Sequence, residues 1–146
     1  MSTENPTQVA RAVRLPILHG YTKEFYDWCH KQELRFQRCQ KCGAWRHPPR
    51  PMCTSCHSLE WEWAPTKGKG AVYCWTTVYQ ALDPAFADAV PYAAVVVELE
   101  EGPRLTTWVT GISPDELCIG MPVELWFDKV SSEVTLPKFK PQAAPR

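Results

Sequence analysis

Residues 39–56 read CQKCGAWRHPPRPMCTSC, and the two CxxC pairs in this stretch decide how the rest of the chain is understood. The pairs are Cys39/Cys42 and Cys53/Cys56, with ten residues between them. Each CxxC turn can aim two thiolates at one point, and a loop of that length lets the second turn come back to it. Four sulfurs then complete a tetrahedral metal site. Zinc is the first reading and iron the alternative, because tetrahedral sulfur sites accept either. A catalytic zinc keeps one position open for water; four thiolates leave none, so the expected role is structural. A redox CxxC would need a thioredoxin-like βαβ setting, which the flanking sequence does not offer. His47 and His57 stand close by, but with the sulfur shell full both are read as residues outside it. Pro48, Pro49 and Pro51 stiffen the loop between the pairs, so that it presents Trp45, Arg46, His47 and Arg50.

Upstream, TKEFYDWCHKQE predicts a helix from about Thr22 to Lys31, capped by Thr22, with Phe25, Trp28 and Cys29 on one apolar face. LRFQRC alternates and predicts a short strand leading into the first knuckle. Downstream the period is two: LEWEWAP sets Leu59, Trp61 and Trp63 against Glu60 and Glu62. TKGKG reads as a turn, although its glycines, with Lys67 and Lys69, could also admit a phosphate. AVYCWTTVYQAL, YAAVVVELEEG, RLTTWVTG, VELWFDKV and the short EVTLPKFKP then predict strands. LDPAFADAVP reads as a loop with a helical turn, and Ser113-Pro114-Asp115 as a turn. About five strands in roughly 80 residues, cornered by glycines, predict a small closed Greek-key barrel of the OB-fold type. A β-sandwich is the alternative, but it needs more strands and more chain. The predicted fold is thus mainly β: an N-terminal helix, a rubredoxin-like zinc ribbon and a C-terminal OB-fold barrel. The corresponding division is a flexible leader over 1–21, helix and ribbon over 22–64, barrel over 65–141 and a tail over 142–146.

The chain has 146 residues and a formal net charge of zero. That balance argues against a nucleic-acid binder, which carries a basic excess. The charge is split, however. Residues 1–50 carry nine Lys/Arg against four acids, and the remainder carries the opposite excess. A basic N-terminal face and an acidic body are expected. No apolar run approaches the roughly 18 residues that a membrane span needs. The N-terminus lacks the apolar core of a secretory signal, so a cytoplasmic protein is expected. In a reducing compartment, paired CxxC motifs point to metal rather than to disulfides.

No nucleophile–base pair, GxSxG elbow or phosphate-binding Walker loop is visible. Cys29 and Cys74 read as small buried hydrophobes, and Cys118 lies in a connector. Seven tryptophans are many for this length. Trp108 and Trp126 fall opposite the core-facing positions of their strands, where they could anchor a partner or lie under a covering segment. An OB-fold with aromatic platforms could also bind single-stranded nucleic acid, and that reading is kept as the alternative.

Taken in order, the segments EFYDW, LRFQRCQKCG, HPPRPMCTSC, LEWEWAPTKGKGAVYCWTTV, VPYAAVVVELEEGPRL, IGMPVELWF and LPKFKP resemble one family. It is the zinc-ribbon plus OB-fold family associated with acyl-CoA enzymes, long catalogued as domain of unknown function thirty-five. The likeness runs from about Thr22 to Pro141. It implies an accessory subunit without chemistry of its own, paired with a thiolase-superfamily enzyme (thiolase, synthase or steroid side-chain aldolase) or with a hydratase. It further implies structural zinc on Cys39, Cys42, Cys53 and Cys56, and an OB domain that holds acyl-CoA or shapes a partner's pocket. Trp45, Arg46, His47, Arg50, Lys67 and Lys69 are the candidate contacts for that ligand or for the partner.

Overall fold

The computed structural model describes residues 14–143. The expected leader therefore falls largely, and the expected tail partly, outside the described residues. The elements run α1 (Gly20–His30), β1 (Arg35–Cys39), β2 (Trp45–Arg46), β3 (Trp61–Pro65), β4 (Lys69–Val78), β5 (Tyr92–Leu99), β6 (Arg104–Thr107), β7 (Pro122–Lys129) and β8 (Thr135–Pro141). Two single 3-10 turns, Pro84–Phe86 and Pro114–Glu116, interrupt the connectors. Among the described residues, no helix is long and apolar enough to cross a membrane.

The first sheet has the order β2-β1-β3, all antiparallel, with Arg38 opposite Trp45 and Cys39 opposite Trp61. This is the ribbon. The second has the order β6-β5-β4-β7-β8. It curls until β6 and β8 meet: Phe139 donates its N–H to the carbonyl of Trp108, and Thr110 donates to the carbonyl of Phe139. That parallel contact between the third and fifth strands closes a five-stranded Greek-key barrel, the OB-fold expected from the sequence. The barrel is mostly β, and α1 packs on β8 beside it.

One apolar core joins the barrel to the helix and to the near end of the ribbon. Val72, Val95, Val97, Val123 and Phe139 fill the barrel, and Phe25, Cys29, Leu34 and Phe36 continue the same cluster outside it. Burial of such side chains contributes roughly 1.5–3 kcal/mol each. The corner at Gly68 and Gly70 shows why TKGKG is glycine-rich. A Cβ on Gly70 would lie 2.4 Å from the carbonyl oxygen of Glu98 on β5, and one on Gly68 would lie 2.9 Å from Leu125. Those glycines serve close packing of the barrel wall.

Several local expectations change. The helix starts at Gly20, so Thr22 lies inside it; the N-cap is His19, whose side chain makes no capping bond. β2 was not foreseen, since two residues carry no period. Cys74, expected to be buried, is exposed. A bulge between Val72 and Cys74 inserts one residue, which turns Tyr73 and Cys74 both outward and brings Trp75 back toward the core. β8 is a full strand of seven residues, in register with β7 from Val123 to Lys129.

Candidate functional site

The two knuckles are copies of each other. In the first, Gly43 donates its N–H to the carbonyl of Cys39, and Cys39 donates to the carbonyl of Ala44. In the second, His57 donates to Cys53 and Cys53 to Ser58. Each turn needs one residue at positive φ after its second cysteine: Gly43 at 75° and His57 at 60°. The four sulfurs lie within 4.8 Å of one another, and Cys39–Cys56 and Cys42–Cys53 are each 3.6 Å apart. A tetrahedron built on zinc–sulfur bonds of about 2.3 Å has edges of about 3.8 Å. The cage therefore fits one zinc-sized ion.

The electrostatics favour a cation as well. Backbone N–H groups of Cys56 and then Ser55 point at the Cys53 sulfur and lower its thiol to about 6. The N–H of Cys42 leads the same effect on Cys39. At Cys42 the N–H of Ala44 pulls downward, but the neighbouring sulfurs of Cys56, Cys53 and Cys39, together with burial, outweigh it and push the thiol up to about 12. Further thiolates become costly unless a cation sits among them. Cys39 and Cys53 are buried, whereas Cys42 is exposed, so the site lies at the ribbon's tip. Cys39, Cys42, Cys53 and Cys56 would hold a zinc ion with no position left open, so it would brace the ribbon rather than bind a reactant.

The loop between the knuckles turns back toward the barrel. Gln37, fully buried on β1, accepts from Arg46 Nε at 2.8 Å and from the Arg50 backbone N–H at 2.7 Å. Arg46 also donates Nη2 to the carbonyl of Arg50 and lies over the Trp61 ring. Its guanidinium is thus a strut as well as a charge. His47 packs between Phe25 and Phe36, with ring centroids 5.1 and 4.8 Å away, and burial lowers its pKa to about 4. Trp45 rests against the core under Arg38. Arg50 is exposed.

Of the six candidate contact residues, Trp45, Arg46, His47 and Arg50 come together. They line a groove of about 350 Å³ with Thr54 of the second knuckle and Gly102, Pro103 and Arg104 of the β5–β6 turn. Lys67 and Lys69 do not line it. Lys67 is held by the turn's acids, its N–H by Glu101 and its Nζ by Glu100. Arg104 was not foreseen. It lies far along the chain from the knuckles, and only the tertiary fold brings its turn to the ribbon loop.

His47, Pro48 and Arg104 also border a larger cleft of about 1300 Å³. Its walls are Phe25 and Tyr26 of α1, Phe86 of the β4–β5 loop, and the facing edges of β6 and β8. Trp108 stands in this wall, packed on Tyr92 at 5.2 Å and on Phe86 at 6.4 Å. Lys138 lies between Trp108 and Trp126 and pairs with Asp128. The two tryptophans expected on the outer face are both half-buried: Trp108 lines the cleft, and Trp126 donates its indole N–H to the Thr110 hydroxyl at 2.9 Å.

Comparison with known proteins accords with both halves. Residues 30–62 match the profile described as ChsH2, rubredoxin-like zinc ribbon domain, and residues 63–128 match ChsH2, C-terminal OB-fold domain. A solved structure titled Ltp2-ChsH2(DUF35) aldolase superposes with a TM-score of 0.79 at 38% identity, covering 87% of this chain and 98% of that one. A DUF35 domain-containing scaffold protein of Methanocaldococcus jannaschii is 34% identical over 111 residues, 73% of this chain and 78% of that protein. A probable enoyl-CoA hydratase alpha subunit of Thermomonospora curvata is 38% identical over 140 residues, 95% of this chain. The chain spans only 43% of the length of that hydratase subunit. The chain belongs to the DUF35 family of ChsH2-type proteins, built from a zinc ribbon and an OB-fold.

Proposed function

We propose that this member of the DUF35 family is a non-catalytic accessory subunit that docks on a thiolase-superfamily enzyme acting on acyl-CoA thioesters. The carrying observation is the match along nearly the whole of the ChsH2(DUF35) chain in a structure titled as an aldolase with Ltp2. The scaffold and hydratase-subunit relatives support the same class of work. In this reading the four-cysteine zinc holds the ribbon, and the ribbon loop, through Trp45, Arg46, His47 and Arg50, meets the partner or the acyl-CoA. The cleft between α1 and the β6 and β8 edges, with its aromatic wall, suits an apolar acyl arm. A cytoplasmic setting accords with thiols that must stay reduced to hold a metal.

Co-expression with the thiolase-like and hydratase-like proteins encoded beside it tests the reading. The expected result is a stable complex that co-elutes through size exclusion and shows acyl-CoA-dependent activity lost when this chain is omitted. A chain that elutes alone from every such pairing overturns it.

A further inference from the structure

The groove between ribbon and barrel has an unusual lining: three guanidinium groups, Arg46, Arg50 and Arg104, with the Thr54 hydroxyl and no carboxylate. Arg104 is partly offset, since its Nε is paired with Glu98 at 2.7 Å. Arg46 is pinned in place by Gln37 and by the Arg50 carbonyl, and its remaining Nη1 is sealed without a partner. About two positive charges are therefore left over. That matches a phosphate monoester, which carries about −1.5 to −2 at neutral pH and three acceptor oxygens on one atom. A single carboxylate would leave one charge uncompensated. Guanidinium forks suit a phosphoryl group because their donors are paired and planar.

The groove also adjoins the larger cleft with its aromatic wall, since His47, Pro48 and Arg104 line both. A ligand with a charged phosphate at one end and a long apolar arm at the other fits the pair of spaces. We propose that the groove cradles the 3′-phosphate of coenzyme A, held by Arg50 and Arg104 over a floor fixed by Arg46, while the thioester arm runs past Pro48 into the cleft. This deepens the acyl-CoA reading above and rests on it. It moves the phosphate contact away from Lys67 and Lys69, whose corner lies outside the groove.

Titration calorimetry on the zinc-loaded full chain, with coenzyme A and with 3′-dephospho-coenzyme A at one ionic strength, tests it. Hydrogen bonds to charged groups are worth enough that the dephosphorylated ligand should bind about ten-fold more weakly. Arg50→Ala should lower affinity for coenzyme A by about the same factor and change affinity for the dephosphorylated ligand by less than about two-fold. Lys69→Ala should change neither. Zinc content and circular dichroism check that each variant is folded. Equal affinity for the two ligands overturns the cradle and leaves the acyl-CoA reading standing. Discrimination that survives Arg50→Ala and Arg104→Ala but disappears in Lys69→Ala also overturns it, in favour of the barrel corner. If neither ligand binds, both the cradle and ligand contact by this chain fail, while partner docking still stands on co-elution alone.

Discussion

The ribbon and the barrel hold themselves together by different means, although one apolar cluster joins the barrel to the near end of the ribbon. The barrel is closed on itself and filled by Val72, Val95, Val97, Val123 and Phe139, each at most 1% exposed. At its near end the ribbon borrows that core through Leu34 and Phe36. Three residues further on, at Cys39, the apolar cluster has ended, and what is buried at the tip is sulfur: Cys39 and Cys53. A segment this small cannot exclude enough water from apolar surface to offset the entropy of ordering it. A metal ion supplies the missing free energy at one point. The contrast teaches that the tip should fail by losing one ion, whereas the barrel should fail by losing packing.

The largest expected effect breaks the two apart. Stripping the metal with a chelator, or substituting Cys42→Ser, should melt the knuckles while the barrel survives, because structural zinc contributes on the order of 10 kcal/mol in small zinc domains. Hydrogen exchange reads this directly: the amides of Cys39, Gly43, Cys53 and His57 should lose protection while those of β4 and β5 keep theirs. Loss of protection in both regions together would show that the ribbon and barrel are one cooperative unit. The converse change, Phe139→Ala, removes the ring at the β6–β8 closure. It should cost the barrel about 3–5 kcal/mol in denaturant unfolding while zinc still binds one per chain.

A smaller effect tests the seam. His47 packs on Phe25 and Phe36, and burial holds its pKa at about 4, below its ordinary value near 6.5. The unfolded chain therefore binds a proton before the folded chain does. The stability from the neutral ring is complete above about pH 6.5 and is lost as pH falls toward about 4, by up to roughly 3 kcal/mol. Urea unfolding of His47→Phe should be flatter across that window than unfolding of the parent; an unchanged slope would assign the acid sensitivity elsewhere. Smallest is the asymmetry between the knuckles. His57 occupies the left-handed position that Gly43 occupies in the first knuckle. His57→Gly should strengthen zinc binding by about 1 kcal/mol, and Gly43→Ala should weaken it by a similar amount. Competition against a chromogenic chelator resolves differences of that size.

Much of this was legible before any coordinates. Two CxxC turns announce a closed sulfur cage because metal geometry is local to short, regularly spaced residues. The alternating stretches announce strands because burial of one face imposes a period of two. What escaped was whatever depends on one residue more or less, or on distant contacts. The bulge at Tyr73 exposes Cys74, and no composition signal marks it. Thr22 has the chemistry of a cap but lies two residues inside the helix. The glycines of TKGKG admit two readings in sequence, and the close approach of the Glu98 carbonyl, invisible there, gives Gly70 a packing role.

The sequence by itself determined the metal cage and the longer strands of ribbon and barrel, since each follows from interactions among near neighbours. Only the tertiary structure decided which charges share a groove. Arg104 joins Arg46 and Arg50 because the fold sets the β5–β6 turn beside the ribbon loop. Lys67 is instead held by Glu100 and Glu101 at the barrel corner. The physical reason is that charges act through space, and the distance between two side chains far apart in sequence is set by how the whole core packs.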